Sequence, residues 1–577
     1  MKRYGKYIKP YLSAFILGPV MMIVEVVGEV MLPAMMADII NIGAANRDIP
    51  YMITKGIMMV IMAFTMMVGG MGGAYFAAKA AMHFGRDLRK DLFQKVQKFS
   101  FANIDSFSTG SLVTRLTNDI TQMQNVIMMG LRMMLRAPGM LIGAVIMAFT
   151  MNASLALIIL IVAPILAIAI GTIIRIAFPR FELMQKKLDH LNSNIQETLT
   201  NVRVIKSFVR GEYEEERFSE SNEALMEAGL NAFKVVIIQM PIMTFAMNAT
   251  VIAVVWFGGN QILGGSMPVG DLTAFTTYVT QILMSLMMLA MVLLQSSRAV
   301  ASSRRIGEVL DTEIDLTDDD AVNKDKVVTD GRIEFKHVSF RYYKDNHEKV
   351  LDDIDFTIEA GQTVGIIGST GSGKTTLVQM IPRLYDVDEG EVLVDGVNVK
   401  DYCLHHLRNG VSMVLQKNVL FSGTILENLQ WGDEHATEAE IRAAADAAQA
   451  DVFVSSFPQG YETELGQGGV NVSGGQKQRL CIARAMLKKP KILILDDSTS
   501  AVDTATEAKI RECFRTTLRH TTKLIIAQRI SSVMDADLIL VMEEGKVVGM
   551  GCHDELLASC HAYQEIYDSQ MDREVGA

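Results

Sequence analysis

Cysteine, tryptophan and proline are scarce in this chain: five, two and twelve among 577 residues. The cysteines (Cys403, Cys481, Cys513, Cys552 and Cys560) have no metal-type spacing and all lie in the C-terminal half, so they read as reduced cytosolic thiols. A basic stripe is also lacking. With a formal net charge of −11, nucleic acid is not expected as the main partner. A cleavable leader is not apparent either. Residues 1–10 are basic, but the apolar run behind them is long and has no small-residue cleavage site, which suits a retained membrane helix. Hydrophobic residues, by contrast, make up 50% of the chain and crowd into long stretches before about residue 300. That distribution is too apolar for one soluble domain.

A membrane-crossing helix needs roughly 20 mostly apolar residues. Six stretches qualify: 12–32, 56–78, 127–151, 155–175, 235–257 and 272–294. The third and fourth are separated only by Asn152, Ala153 and Ser154, which predicts a tight hairpin at one membrane face. Basic residues mark alternate connections. Lys2, Arg3, Lys6 and Lys9 precede the first span, and Arg86, Arg89, Lys90, Lys95 and Lys98 follow the second. Lys186, Lys187, Arg203, Lys206 and Arg210 follow the fourth, and Arg298, Arg304 and Arg305 the sixth. Residues 258–271, on the opposite side, contain no Lys or Arg. Both termini are therefore expected in the cytosol, with the protein in the plasma membrane. The two basic connections are long and rich in helix formers, so the helices should run well beyond the bilayer. Their tips, near 101–108 and 202–214, are expected to touch the soluble half.

The predicted division is a membrane domain over 1–310, a polar, acid-rich linker over 311–330, and an α/β domain over 331–577. In the last, Gly368, Ser369, Thr370, Gly371, Ser372, Gly373, Lys374 and Thr375 fit G-x-x-x-x-G-K-[ST] behind the apolar run 364–367, with Thr376 next. Such a loop closes backbone N–H groups around phosphate oxygens at a helix N-terminus. Lys374 would reach the β- and γ-phosphates, and the Thr375 hydroxyl would hold Mg²⁺. Downstream, the apolar run 492–495 ends in Asp496, a carboxylate suited to the same ion. These residues predict binding of a nucleoside triphosphate. Ser473, Gly474, Gly475 and Gln476, ahead of a basic helix, make a second anion-binding turn. One ATP does not need two cradles in one domain, so the second suggests a second subunit whose ATP this turn completes.

On these motifs the whole chain resembles a half-transporter of the ATP-binding cassette exporter family: a six-span helical bundle followed by an α/β nucleotide-binding domain. The resemblance implies ATP and Mg²⁺ as cofactors, a second half-transporter as partner, and export driven by ATP hydrolysis. It assigns Tyr342 to adenine stacking, 368–376 to the phosphates, and Gln416 to Mg²⁺ sensing toward the membrane domain. It makes 473–476 the signature turn, Asp496 the magnesium aspartate, and residues 500–503, ending in Asp503, the loop that crosses to the partner. Three positions depart from the family pattern. Asp497 stands where Glu usually polarises the attacking water, Gln528 where His usually meets the γ-phosphate, and Gln467 where Glu usually precedes the signature. Asp draws its carboxylate back by about 1 Å, a misplacement that can cost on the order of a hundredfold in rate. Gln528 can donate a hydrogen bond but not transfer a proton. The pattern resembles the degenerate-site subunit of heterodimeric bacterial multidrug-type exporters, with the intact signature completing the partner's competent site. A slow homodimeric exporter and an ATP-gated membrane regulator or channel are the alternatives.

Cargo is expected to be hydrophobic or amphipathic. Glu25 and Glu29 are four apart on one helical face near mid-membrane, where a charge costs roughly 2.5–3.5 kcal/mol. They suit either a cavity-facing site for cationic or amphipathic cargo or hydrogen bonding between helices. Arg132 and Arg136, near the inner end of the third span, are expected to snorkel or bind lipid headgroups. The chain's 39 Met residues fall largely in the spans, as at 58–59 and 284–291, and are expected mainly to pack. Gly69, Gly70, Gly72 and Gly73 predict close helix packing.

Overall fold

The computed structural model describes residues 2–319, 321–343, 348–498 and 502–575, and side chains at 2, 290–298 and 571–575 are left out. Arg298, Ser500 and Ala501, and the side chains at 290–294, thus lie outside the described set. The chain forms two compact units, Met1–Gln97 with Thr109–Asp311, and Lys98–Ser108 with Thr312–Ala577.

Among the described residues, the first unit contains six helices long and apolar enough to cross a membrane, as the hydropathy pattern predicts. The principal helices are α1 (Leu12–Asp38), α2 (Ile49–Gln97), α4 (Ile120–Met151), α5 (Ala153–Thr200), α6 (Gly211–Ile237), α7 (Gln239–Leu263) and α8 (Val269–Asp311); the short α3 (Phe101–Asp105) belongs to the second unit. Hydrocarbon leaves backbone polar groups no partner but the helix itself, so these runs have no alternative structure inside a bilayer. α2 and α5 span 49 and 48 residues, far more than a bilayer requires. The expectation of helices extending beyond it is met. The hairpin between α4 and α5 is tighter than three residues. Asn152 alone turns the chain, and its side-chain oxygen accepts from the Leu155 N–H at 3.0 Å.

Within the bundle, Arg136 corrects its own reading. It does not point to headgroups: Nη1 lies 3.2 Å from Glu25 Oε1 and Nη2 3.1 Å from Glu29 Oε2. Gln281 of α8 donates to the Glu29 carbonyl at 3.0 Å. The two carboxylates therefore tie α1 to α4 through one guanidinium. The glycines of α2 act as predicted. A Cβ on Gly69 would lie 2.9 Å from the Met21 carbonyl oxygen, while one on Gly70 would meet the Glu25 carboxyl group at 3.2 Å. Outside the apolar segments, Asp119 is buried against Arg305 and Ser302 of α8, a polar clasp with no motif to announce it.

Among the described residues, the second unit holds three sheets. Strands β1 (Ile333–Phe340), β2 (Leu351–Ile358), β4 (Glu389–Val394) and β5 (Val397–Asn398) form an antiparallel sheet in the order β2-β1-β4-β5. The larger sheet has the order β12-β11-β3-β10-β9-β6. Its members are β3 (Thr363–Gly368), β6 (Val411–Val414), β9 (Ile492–Asp496), β10 (Thr522–Ile526), β11 (Leu538–Glu543) and β12 (Lys546–Gly551). β7 (Gly423–Thr424) and β8 (Glu464–Leu465) pair separately. β3, β9, β10 and β11 are parallel and largely buried, hence their richness in Ile, Leu and Val. The polar strip after Asp311 is more than a spacer. Asn323 donates to the Asp401 carbonyl at 2.9 Å and Asp318 accepts from the Leu404 N–H at 2.8 Å.

Candidate functional site

The C-terminal ends of β3 and β9 open into a cleft of about 620 Å³, where parallel sheets place ligands. Residues 368–376 form its floor, and Gln416, Asp496, Asp497 and Gln528 line it, with Met542 and Glu543 of β11. The sequence-predicted phosphate and catalytic residues are thus brought together. The loop can turn so tightly because of its glycines. Gly368 has φ +152°, and a Cβ there would lie 2.1 Å from the Met542 carbonyl oxygen. Gly373 has φ +93° and opens helix α9 (Lys374–Met380). The Lys374 Nζ folds onto its own loop, donating to the carbonyls of Gly368 (2.9 Å) and Ser369 (2.7 Å). Burial holds its pKa below the usual lysine range, against the pull of Asp496 and Asp497.

Asp496 is 2% exposed. Burial pushes its carboxyl above the usual range, although Thr375 donates to its Oδ1 at 3.1 Å. A hydroxyl and a buried carboxylate side by side, with the Gln416 amide on the same wall, form a hard oxygen set that fits Mg²⁺.

Asp497 stands in the left-handed region, at φ +47°, a strained setting of the kind found at functional sites. Its Oδ2 accepts from Gln528 Nε2 at 2.6 Å. Two of the three residues that depart from the family pattern are therefore bonded to each other.

Tyr342, 39% exposed, is not among the described residues that line the cleft. Its ring meets Phe340 at 5.0 Å and Tyr385 at 5.2 Å, both edge-on, and its hydroxyl lies 2.9 Å from Thr376 Oγ1. Tyr385, which no motif flagged, donates to Asp105 Oδ2 at 2.7 Å and sets its ring against Phe101. The first predicted tip, 101–108, thus lies in the same compact unit as the cleft. The second, near 202–214, belongs to the membrane-type unit and exposes Phe208 and Val209.

The predicted signature turn is elsewhere. Among the described residues lining the cleft, none comes from 473–476. Ser473 caps helix α10 (Gly474–Leu487) in a reciprocal box. Its hydroxyl accepts from the Gln476 N–H at 3.3 Å, and Gln476 Oε1 accepts from the Ser473 N–H at 2.8 Å. Ser473 and Gly474 face solvent. Asp503 caps helix α11 (Thr504–Thr517), accepting from the Thr506 N–H at 2.9 Å. Gln467 is exposed in the turn between β8 and α10.

Comparison with known proteins matches residues 15–286 to the ABC transporter transmembrane region and residues 351–500 to the ABC transporter family proper. The chain is 42% identical over 574 residues to the ABC transporter ATP-binding protein YfiB of Bacillus subtilis, covering 100% of this chain and 99% of that one. It is 32% identical over 590 residues to the ATP-dependent lipid A-core flippase of Pseudomonas aeruginosa, covering 99% and 96%. Among solved structures, a bacterial Atm1-family ABC exporter with ATP bound superposes with a TM-score of 0.79 at 26% identity, covering 98% of each chain.

Proposed function

Because the chain belongs to the ABC transporter family, as a multi-pass membrane unit fused to an ATPase unit, we propose that it is the degenerate-site half of a heterodimeric exporter. The observation that carries this reading is the 2.6 Å bond between Gln528 and Asp497. A water poised for attack needs a carboxylate free to polarise it and a donor to the γ-phosphate. Here the shortened carboxylate and the side chain that should face the phosphate are bonded to each other, so either role is filled only by giving up that bond. Neither group can relay a proton through the other, since an amide does not titrate. The cleft keeps what binding requires: the glycine loop, Lys374, and an oxygen set in which Thr375, Asp496 and Gln416 would hold Mg²⁺. That ion, when bound, neutralises phosphate charge.

The exposed signature turn at 473–476 supports a two-chain site, in which it closes over the ATP of the partner. The loop ending in Asp503 would cross to the partner beside it. Tyr342 would stack on adenine. The exposed Phe208 and Val209 would dock on the partner's nucleotide unit, in a groove equivalent to the one this chain lines with Val419, Phe421 and Trp431. The nucleotide unit and both termini would lie in the cytoplasm, with the spans in the plasma membrane. Cargo would be hydrophobic or amphipathic. Similarity to a lipid A-core flippase favours an amphipathic lipid as one class.

The test is turnover by the chain alone in lipid nanodiscs. It should bind ATP yet hydrolyse it below about 0.1 s⁻¹, against roughly 1–10³ s⁻¹ for typical enzymes. The pair Asp497→Glu with Gln528→His should raise that rate at least about tenfold. Vigorous hydrolysis by the unaltered chain would refute the degenerate-site reading and leave a homodimeric exporter.

A further inference from the structure

We propose that Gln570, on the last described helix, α12 (His561–Val575), is the positioning residue that makes Gln528 a sensor of the terminal phosphate. Its amide grips the switch loop with both ends. Nε2 donates to the Gln528 carbonyl at 2.9 Å, and Oε1 accepts from the Ile530 N–H at 2.8 Å. One side chain thus holds the backbone on either side of Arg529. The loop is also held at its start, where the Ala527 N–H donates to the Ile366 carbonyl at 3.2 Å.

The helix that carries Gln570 is itself well anchored. Tyr563 is fully buried, its hydroxyl 2.6 Å from His553 Nδ1, and Ala562, Ile566 and Tyr567 pack against the core. Ala562, Glu565, Ile566 and Gln570 also line the nucleotide cleft beside Lys374 and Gln528. With its backbone pinned, Gln528 is left only side-chain rotation. Its amide either donates to Asp497, as here, or turns to an oxygen of the terminal phosphate. Release of the clamp would let the loop itself swing, and a shift of about 1 Å is enough to lose such a contact.

The proposal rests on Gln528 facing the terminal phosphate, which only a triphosphate has. ATP and ADP therefore separate a positioning role from a merely structural one. The measurement is binding of N-methylanthraniloyl-ATP and -ADP, each with Mg²⁺, to the full chain in nanodiscs. Gln570→Ala should weaken ATP binding about fivefold and leave ADP binding within about twofold, the size expected for the net contribution of one ordinary hydrogen bond. Gln570→Glu keeps the acceptor for Ile530 but loses the donor to Gln528, and should fall between. Gln528→Ala should reproduce the loss of ATP preference, and Gln570→Ala should then add nothing further. Equal losses for ATP and ADP, or full additivity of the two substitutions, would overturn the clamp. An unchanged ATP preference in Gln528→Ala would instead overturn the phosphate-facing reading and the clamp with it.

Discussion

Lys374 has two sets of partners to choose between. In this structure it donates to the carbonyls of Gly368 and Ser369, neutral acceptors that compensate incompletely for burial. Its pKa is accordingly lowered, chiefly by desolvation. A triphosphate would reverse the sign by adding negative charge, and would raise that pKa. Binding therefore takes up a proton wherever pH lies between the depressed pKa of the free chain and the higher one of the complex. Above the depressed pKa, affinity for ATP must fall as pH rises, by up to about tenfold per pH unit. Lys374→Arg, whose charge does not titrate in that range, should give a flat profile between pH 7 and 10. Titration of ATP affinity against pH in both proteins checks this; parallel slopes would assign the proton uptake to another group.

At the scale of elements, the short helix α3 explains more than its length suggests. Ser100 caps it in a reciprocal box with Asn103, which holds it helical despite having only five residues. The chain leaves α2 at Gln97, folds with the nucleotide unit through 98–108, and returns to the membrane-type unit at Thr109. Tyr385 links α3 to Tyr342: its ring makes edge-type contacts with Phe101 and with Tyr342, and its hydroxyl donates to Asp105. A base stacked on Tyr342 would thus be one aromatic ring from a segment covalently continuous with two long helices. Tyr385→Phe keeps the ring and its packing while removing the bond to Asp105. In a Trp431→Phe background, Trp256 of α7 is the single tryptophan left, since the chain has two. The ATP-induced change in Trp256 emission should shrink severalfold, with ATP affinity within about twofold, because a hydrogen bond to a carboxylate contributes roughly 1.5–3 kcal/mol. An undiminished emission change would show that the motion takes another route.

For the whole molecule, the phosphate cleft and the signature turn are separate features of one chain. The cleft contains the bonded Asp497–Gln528 pair, while Ser473 and Gly474 are presented to solvent. If two chains share two sites, changes in these features should have unequal effects in the assembled complex. Gly474→Asp places a carboxylate where phosphate would sit, and should reduce ATP hydrolysis by about a hundredfold, comparable to losing a transition-state donor. Asp497→Asn, in the site that turns over little, should change it by no more than about twofold. Steady-state ATPase rates of the two variants decide the matter, and equal losses would contradict the assignment of sites.

The six spans and the glycine loop were legible in the sequence for a common physical reason, whereas the readings of 473–476 as the signature and of Asp497 and Gln528 as departures came from resemblance to a family pattern. The spans and the loop depend on local chemistry: a run of apolar residues long enough for a bilayer, or a turn that only glycine can make. Pairings between distant residues were not legible. The Asp497–Gln528 bond joins positions 31 apart, and Gln570 meets its switch loop across 42 residues. Arg136 finds Glu29 across 107 residues, and Tyr385 finds Asp105 across 280. The sequence alone told that Glu25 and Glu29 share a helical face; only the packing of α1 against α4 decided that a guanidinium would stand between them. Local patterns fix which groups are present and on which face. Which of them meet is decided by tertiary burial, because a polar group removed from water must take whatever partner the fold brings within hydrogen-bond reach.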